Sequence, residues 1–331
     1  MHPNLEKLKE YKILVTGGAG FIGSNLCEAL LKLGAEVICL DNFSTGRKEN
    51  IYGFLGNPLF TLIEGDIRDL KVCQEACKNV DFVLHEAALG SVPRSIENPI
   101  TTNKVNIDGF LNMLVAVKNS KVNRFIYAAS SSTYGDSTEL PKTEDKIGKP
   151  LSPYAVTKYV NELYAEVFHK TYQINTIGLR YFNVFGKHQN PNGAYAAVIP
   201  KFIQQLIHKE SPVINGDGSF SRDFTYIDNV VQINILAILV ENPAALNQVY
   251  NVACGERTTL NQLISILKEK LAAFDSSISE VTPTYGPTRM GDIPHSNANI
   301  AKAKNLLQYN PQFTVKKGLK KAISWYWNNL N

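Results

Sequence analysis

Several common signals are missing from this chain, and each absence narrows what it can be. No CxxC pair occurs among its five cysteines, Cys27, Cys39, Cys73, Cys77 and Cys254. An odd count without such a pair predicts free thiols and a reducing compartment rather than a disulfide framework. Cys73 and Cys77 stand one helical turn apart in KVCQEACKNV and read as half-buried thiols on an amphipathic helix, so no metal site is expected. No apolar run is long enough to span a bilayer. The opening MHPNLEKLKEYK lacks the apolar core of a secretion signal, so a cytoplasmic protein with no membrane partner is expected. Repeats and low-complexity tracts are missing too.

A surplus of one charge is also lacking. The 34 Lys and Arg nearly balance 30 Asp and Glu, leaving +4 over 331 residues, with the basic residues scattered. That distribution argues against a nucleic-acid partner, while a small positive excess suits an anionic small molecule. With 44% hydrophobic and 19% charged residues, the composition is that of a globular protein. The length allows one large domain or two modest ones.

What is present is alternation. Lys12 to Thr16, Glu36 to Leu40, Phe60 to Glu64, Asp81 to His85, Arg124 to Ala128 and Asn175 to Leu179 read as short strands. Helical patterns fill the intervals at Phe21 to Leu33, Asp69 to Lys78, Ile100 to Asn119 and Pro153 to Tyr172. This order predicts an α/β fold built on a doubly wound parallel sheet covered on both faces. After Arg180 the loops lengthen, as in GKHQNPNGAY and PTYGPTRMGDIPHS. Residues 1–180 are expected to form the larger domain, rejoined by about 226–252. The remainder of 181–331 is expected to form a smaller, discontinuous α/β domain for substrate.

The first strand runs into Gly17-Gly18-Ala19-Gly20-Phe21-Ile22-Gly23, and a helix follows at once. Gly17, Gly20 and Gly23 give a G-x-x-G-x-x-G spacing. Glycines there let the backbone approach a pyrophosphate, whose charge faces a helix N-terminus. This makes the sheet a Rossmann-type dinucleotide site. Asp41 ends the second strand, where an acid accepts hydrogen bonds from the ribose hydroxyls and favours NAD; Arg47 and Lys48 nearby keep NADP open. Asp66, after the third strand, is placed for the adenine edge.

Ser130, Ser131 and Ser132 follow the fifth strand, at the sheet edge where ligands bind. Downstream, Tyr154 and Lys158 are spaced i, i+4 and share a helix face. A phenol is a weak base at its ordinary pKa of about 10. A nearby ammonium stabilises phenolate, so Tyr154 is expected to take a substrate hydroxyl proton while hydride leaves carbon for NAD. A serine hydroxyl serves the same oxygen. His85 reads as a hydrogen-bonded core residue, and SWYWNN as helix packing.

With TGGAGFIGSNL, LDNFSTG, EGDIRD, HEAALGSVPRS, AASSSTYGD, SPYAVTKYVNE, LRYFNVFG, RDFTYIDNV, YNVACGE and RMGDIPHS in order, the chain resembles the extended short-chain dehydrogenase/reductase family over essentially its full length. Within it, ALGSVPRS and NPNGAYAAVIPKF resemble the UDP-N-acetylglucosamine/UDP-N-acetylgalactosamine 4-epimerase subgroup, related to UDP-galactose 4-epimerase. The resemblance implies Tyr154 as base toward the 4-hydroxyl, Lys158 on the nicotinamide ribose, and Ser130 as the catalytic hydroxyl. Bound NAD would oxidise carbon 4, and the hydride would return after the keto sugar turns its other face.

The resemblance also implies NAD contacts from Phe21 and Ile22 of the Gly loop, and from Asn42, Ser44, Thr45 and Gly46 beside Asp41. Ile67, Ala87, Ala88, Asn106 and Tyr181 complete that set. For a UDP-sugar it implies Ser91, Arg94, Ser131, Ser132, Asn183, Ala197 and Val198. Arg222 and Arg289 would clamp the diphosphate, Asp292 would hold the uridine ribose, and Asn215 lies toward the uracil. Ser296 stands where galactose-only enzymes can carry an aromatic, leaving room for a 2-acetamido group, with Ala197 in the same region. A homodimer through the helices beginning at Ile100 and Pro153 is implied as well. Sister 4,6-dehydratases carry an Asp-Glu pair where this chain has Ser131 and Ser132, so no acid is expected for dehydration. The alternatives are a UDP-glucose/UDP-galactose or UDP-N-acetylhexosaminuronate 4-epimerase, a UDP-glucuronate decarboxylase, to which the substrate-loop runs fit poorly, and a catalytically silent nucleotide-sugar-binding protein.

Overall fold

A computed structural model describes residues 4–191, 197–288 and 293–330. Its centre is a seven-stranded, all-parallel sheet. The strands are β1 (Lys12–Thr16), β2 (Glu36–Asp41), β3 (Phe60–Glu64), β4 (Phe82–His85), β5 (Arg124–Ser130), β6 (Thr176–Tyr181) and β7 (Gln248–Val252). Their order is β7-β6-β5-β4-β1-β2-β3. The central strands carry apolar residues toward both faces, as a sheet covered on both sides requires. On β1, Ile13 and Val15 enter one core while Leu14 enters the other. On β5, Ile126 and Ala128 divide from Phe125 and Tyr127 in the same way.

Helices α1 (Phe21–Lys32), α2 (Leu70–Ala76), α3 (Val92–Glu97), α4 (Pro99–Asn103), α5 (Gly109–Lys118) and α6 (Pro153–Tyr172) belong to the crossovers. Between β6 and β7 the chain makes an excursion through α7 (Val198–Ile207) and α8 (Ile227–Leu239). Beyond β7 come α9 (Leu260–Leu271), α10 (Ala301–Leu307) and α11 (Val315–Leu330). α8 packs on α1 beneath the sheet, and β7 pairs with β6. α7, α9 and α11 pack on one another, so their apolar faces extend the core on the α1 side.

Two local expectations change. The helix expected over Ile100 to Asn119 begins at Pro99 and is interrupted by a π-helical turn at Lys104–Asp108 before α5 resumes. Asn106 sits in that wide turn, a feature that apolar spacing cannot report. The thiols are more deeply placed than half-buried: Cys73 and Cys77 are inaccessible in the core beneath α2 and α5, and all five cysteines are free. Among the described residues, no helix is long and apolar enough to cross a membrane.

Candidate active site

The order of successive strands switches sides between β1 and β4, and in such sheets ligands bind at that switch point, outside the strand ends. A cavity of about 340 Å³ lies there. Gly17, Gly20, Phe21, Ile22 and Gly23 line one part of it. Asp41, Asn42, Ser44, Thr45, Asp66 and Ile67 line the next. Ala87, Ala88, Ser130, Tyr154, Lys158, Tyr181 and Asn183 complete the set shared with the sequence reading.

The glycine loop is close-packed. Gly17 has φ +66°, and a Cβ on it would come within 2.8 Å of the Ala87 backbone. A Cβ on Gly23 would collide with the Gly17 carbonyl oxygen. α1 begins at Gly20 with no side chain capping it. Its first-turn N–H groups therefore stay available to an anion, which fits a dinucleotide pyrophosphate.

Asp41 has a second task that its sequence position did not announce. Its Oδ2 accepts from the Ala19 N–H at 2.9 Å and its Oδ1 from the Phe43 N–H at 2.8 Å. The acid thus braces the glycine loop as well as lining the cavity, and burial pushes its carboxyl above the ordinary value. Arg47 and Lys48 are engaged with Glu49 and Glu64. Asp66 is held by Arg68 at 2.7 Å and by Asn42 at 2.8 Å, and the Arg68 guanidinium lowers its carboxyl to about 2. Gly46 lies behind the lining, where a Cβ would meet the Asp41 carboxylate at 2.8 Å. Asn106 also stands back. It accepts from the Leu89 N–H at 2.8 Å and donates to Thr157 Oγ1 at 3.1 Å, pinning the loop after β4 to α6.

α6 is started by Ser152, whose Oγ accepts from the Ala155 N–H at 3.1 Å, with Pro153 in its first turn. This start fixes Tyr154 and Lys158 on the cavity side. Ser130, the last residue of β5, pairs in register with Tyr181 of β6. Ser130 lies near enough to lower the Tyr154 phenol's pKa, and Ser132 Oγ donates to Ser130 Oγ at 2.9 Å. Of the three serines, Ser130 lines the cavity. Lys158 Nζ donates to the Ala128 carbonyl at 2.7 Å, and burial lowers its ammonium to about 8. Burial, not the lysine, governs Tyr154: it raises the phenol above its ordinary value, Ser130 lowers it, and Glu86 raises it further. His85 is a core residue, bonded through Nδ1 to Thr16 Oγ1 at 2.9 Å and packed on Phe110 and Phe125.

Sequence reasoning missed Glu86 entirely. Its carboxyl lines the cavity, accepts from Tyr181 Oη at 2.8 Å, and is pushed up to about 7 by burial. Positions 131 and 132 hold serines and no acid, as the sequence shows, yet the cavity does contain a carboxyl. The acid comes from the end of β4, not from positions 131 and 132.

Among the described residues, the remaining substrate candidates do not line this cavity. Ser91 caps α3, its Oγ accepting from the Arg94 N–H at 3.2 Å. Ala197 caps α7 and Val198 opens it. Asn215 ends a short strand paired with 284–286. Arg222 donates to the carbonyls of Ser221 and Pro294 at 3.1 and 3.2 Å. Ser296 donates its N–H to the Ser221 carbonyl at 3.0 Å, so Arg222 and Ser296 share one strand-to-loop junction. Asn183 reaches the cavity with φ +39° while donating to the Asp223 carbonyl at 3.0 Å. Arg289 and Asp292 lie outside the described residues.

Residues 13–253 match the NAD dependent epimerase/dehydratase family. The chain belongs to that family. Its cofactor is accordingly NAD, in keeping with the glycine cradle and uncapped α1 described above. A relative described as a putative UDP-glucose 4-epimerase, from Methanocaldococcus jannaschii, is 35% identical over 96% of this chain and 99% of its own length. The solved UDP-N-acetylglucosamine 4-epimerase of Methanobrevibacter ruminantium M1, in complex with UDP-N-acetylmuramic acid, superposes with a TM-score of 0.89 at 38% identity, covering 96% of this chain and 98% of that one. The UDP-glucuronic acid 4-epimerase of Bacillus cereus, in complex with UDP-glucuronic acid and NAD, gives 0.85 at 33% identity, covering 96% and 99%.

Proposed function

We propose that this family member is a cytoplasmic UDP-sugar 4-epimerase that interconverts UDP-N-acetylglucosamine and UDP-N-acetylgalactosamine. The observation that carries the reading is the meeting of Tyr154, Ser130 and Lys158 in one cavity with the glycine loop. Bound NAD supplies reversible hydride uptake at sugar carbon 4. Tyr154 Oη takes the 4-hydroxyl proton, and Ser130 bonds the same oxygen and links it to Ser132. Lys158, anchored on Ala128, lines the same cavity as the phenol and is held for the nicotinamide ribose. Residues 181–331, apart from the return through about 226–252, serve as the nucleotide-sugar domain, with Arg222 and Arg289 on the diphosphate and Asp292 and Asn215 on the uridine. Ser91, Arg94, Asn183 and Val198 lie toward the sugar.

The N-acetylated sugar is favoured by the small residues Ser296 and Ala197 and by the Methanobrevibacter relative's own substrate. Glucose or glucuronate is the second reading, favoured by the names of the other relatives. Incubating the purified protein with each UDP-sugar, without added cofactor, and following epimer formation by proton NMR separates the two. Conversion of none of them sinks the epimerase reading.

A homodimer is proposed through α3, α4 and α6. Ile96 and Ile100 are 63% and 69% exposed there, and Val167 on neighbouring α6 is 54% exposed. Light scattering of Ile100→Glu should show a monomer where the parent shows a dimer.

A further inference from the structure

Glu86 is used neither by the glycine loop nor by the Tyr154 hydroxyl chain, yet it lies in the same cavity. It follows β4 directly, on the side lined by Tyr154, Lys158 and Tyr181. Its Oε1 accepts from Tyr181 Oη at 2.8 Å. Tyr181 Oη in turn accepts from Asn234 Nδ2 at 2.9 Å. Asn234 is fully buried on α8 and donates back to the Val230 carbonyl at 2.9 Å. The carboxyl is therefore tied through β6 to α8 and held in one place.

The titratable groups facing it are Lys158 and Tyr154 on α6 and Tyr181 on β6. His85, the preceding residue, stays neutral in the core with its ring bonded to Thr16 of β1. Among the described residues, no ion pair joins Glu86 to Lys158, whose Nζ donates to Ala128. A carboxylate withdrawn from water is costly unless a cation answers it. The oxidised nicotinamide ring carries such a positive charge, and the reduced ring does not.

We propose that Glu86, fixed by Tyr181, is the counter-charge of the oxidised nicotinamide ring and biases the site against keeping a hydride. An epimerase must hand back the hydride it takes from the sugar in every cycle, so a fixed anion that favours the oxidised ring opposes stalling in the reduced state. The proposal rests on the epimerase reading above and adds to it the residue that sets this bias. Burial raises the Glu86 carboxyl to about 7 and a positive ring beside it lowers it again, so the bias grows as pH rises through a value below 7.

The test reduces the cofactor of purified holoenzyme with sodium cyanoborohydride and follows absorbance at ~340 nm. One hydride passes from the reagent to the ring, and the reagent is oxidised. Glu86→Gln keeps the shape and the acceptor for Tyr181 but removes the charge. Its reduction rate relative to the parent should be near one at about pH 5 and rise to about tenfold at about pH 9. Tyr181→Phe keeps the carboxyl but removes a donor that lowers its pKa, so its own rate profile should move to higher pH. Equal rates for Glu86→Gln and the parent at both pH values, with UDP-sugar still converted, overturn the counter-charge alone. A faster variant rate that ignores pH also overturns it, because a merely loosened site behaves that way. A pH-dependent ratio in a protein that converts no UDP-sugar supports the counter-charge and overturns the epimerase reading.

Discussion

The cofactor side and the proposed substrate side of this protein are built differently. The cofactor side is made of strand ends and one short loop, braced at close range: Asp41 on Ala19 and Lys158 on Ala128. Its residues converge on one cavity. The substrate side is assembled from distant segments, and Arg222 and Ser296 meet only because a two-residue strand runs beside the loop at 294–296. Tight local bracing makes the first region intolerant of added atoms. The second depends on a few long side chains, so its changes should appear in substrate affinity before stability.

The largest effect should come where the two regions hand over. Tyr154→Phe should lower turnover about a thousandfold while leaving bound NAD in place, read by NMR turnover and by cofactor extracted from the protein. If NAD leaves with the hydroxyl, Tyr154 belongs to the cofactor cradle more than to the chemistry. Gly23→Ala should empty the cofactor side. The atom its Cβ meets is backbone, so about 1–3 kcal/mol of stability should be lost together with most of the bound NAD. Unchanged NAD content in that variant would refute the close-packed loop.

On the substrate side, Arg222→Ala should raise KM about tenfold with little change in kcat or melting temperature. A large fall in melting temperature instead would mean that its two carbonyl bonds are structural. Ser296→Tyr should shift preference from the N-acetylated sugar toward UDP-glucose by about tenfold, measured as the ratio of kcat/KM values. An unaltered ratio would remove Ser296 from the sugar pocket.

The smallest effect is a pH slope. Burial lowers His85 from its ordinary 6.5 to about 3. Between those values the unfolded chain binds the proton and the folded one does not. Stability present above about 6.5 is therefore lost as pH falls toward 3, by about 1.4 kcal/mol per pH unit at most. Denaturant unfolding at several pH values should show a shallower slope for His85→Gln.

These regions also differ in how far they can be read without a structure. The glycine spacing, Asp41 and the Tyr154–Lys158 pair were legible because each is a short-range pattern tied to one strand end or one helix face. The π-turn around Asn106 was not legible, since an apolar period does not register one wider turn within a helix. That Ser130 lines the cavity and Ser131 and Ser132 do not required the fold, because adjacent hydroxyls leave a strand end in different directions. Ile96 and Ile100 look like ordinary amphipathic positions until α3 and α4 are seen leaving them uncovered.

By itself, then, the sequence determined the parallel sheet, the dinucleotide loop and the placing of Tyr154 and Lys158 on one helix face, all of which follow from periodicity and local spacing. Only the tertiary structure decided that the glutamate of HEAALG faces Tyr181 and Lys158 instead of solvent. The physical reason is that a carboxyl's charge state is set by what surrounds it. For Glu86 those surroundings come from β6, α6 and α8, segments roughly 70 to 150 positions away along the chain.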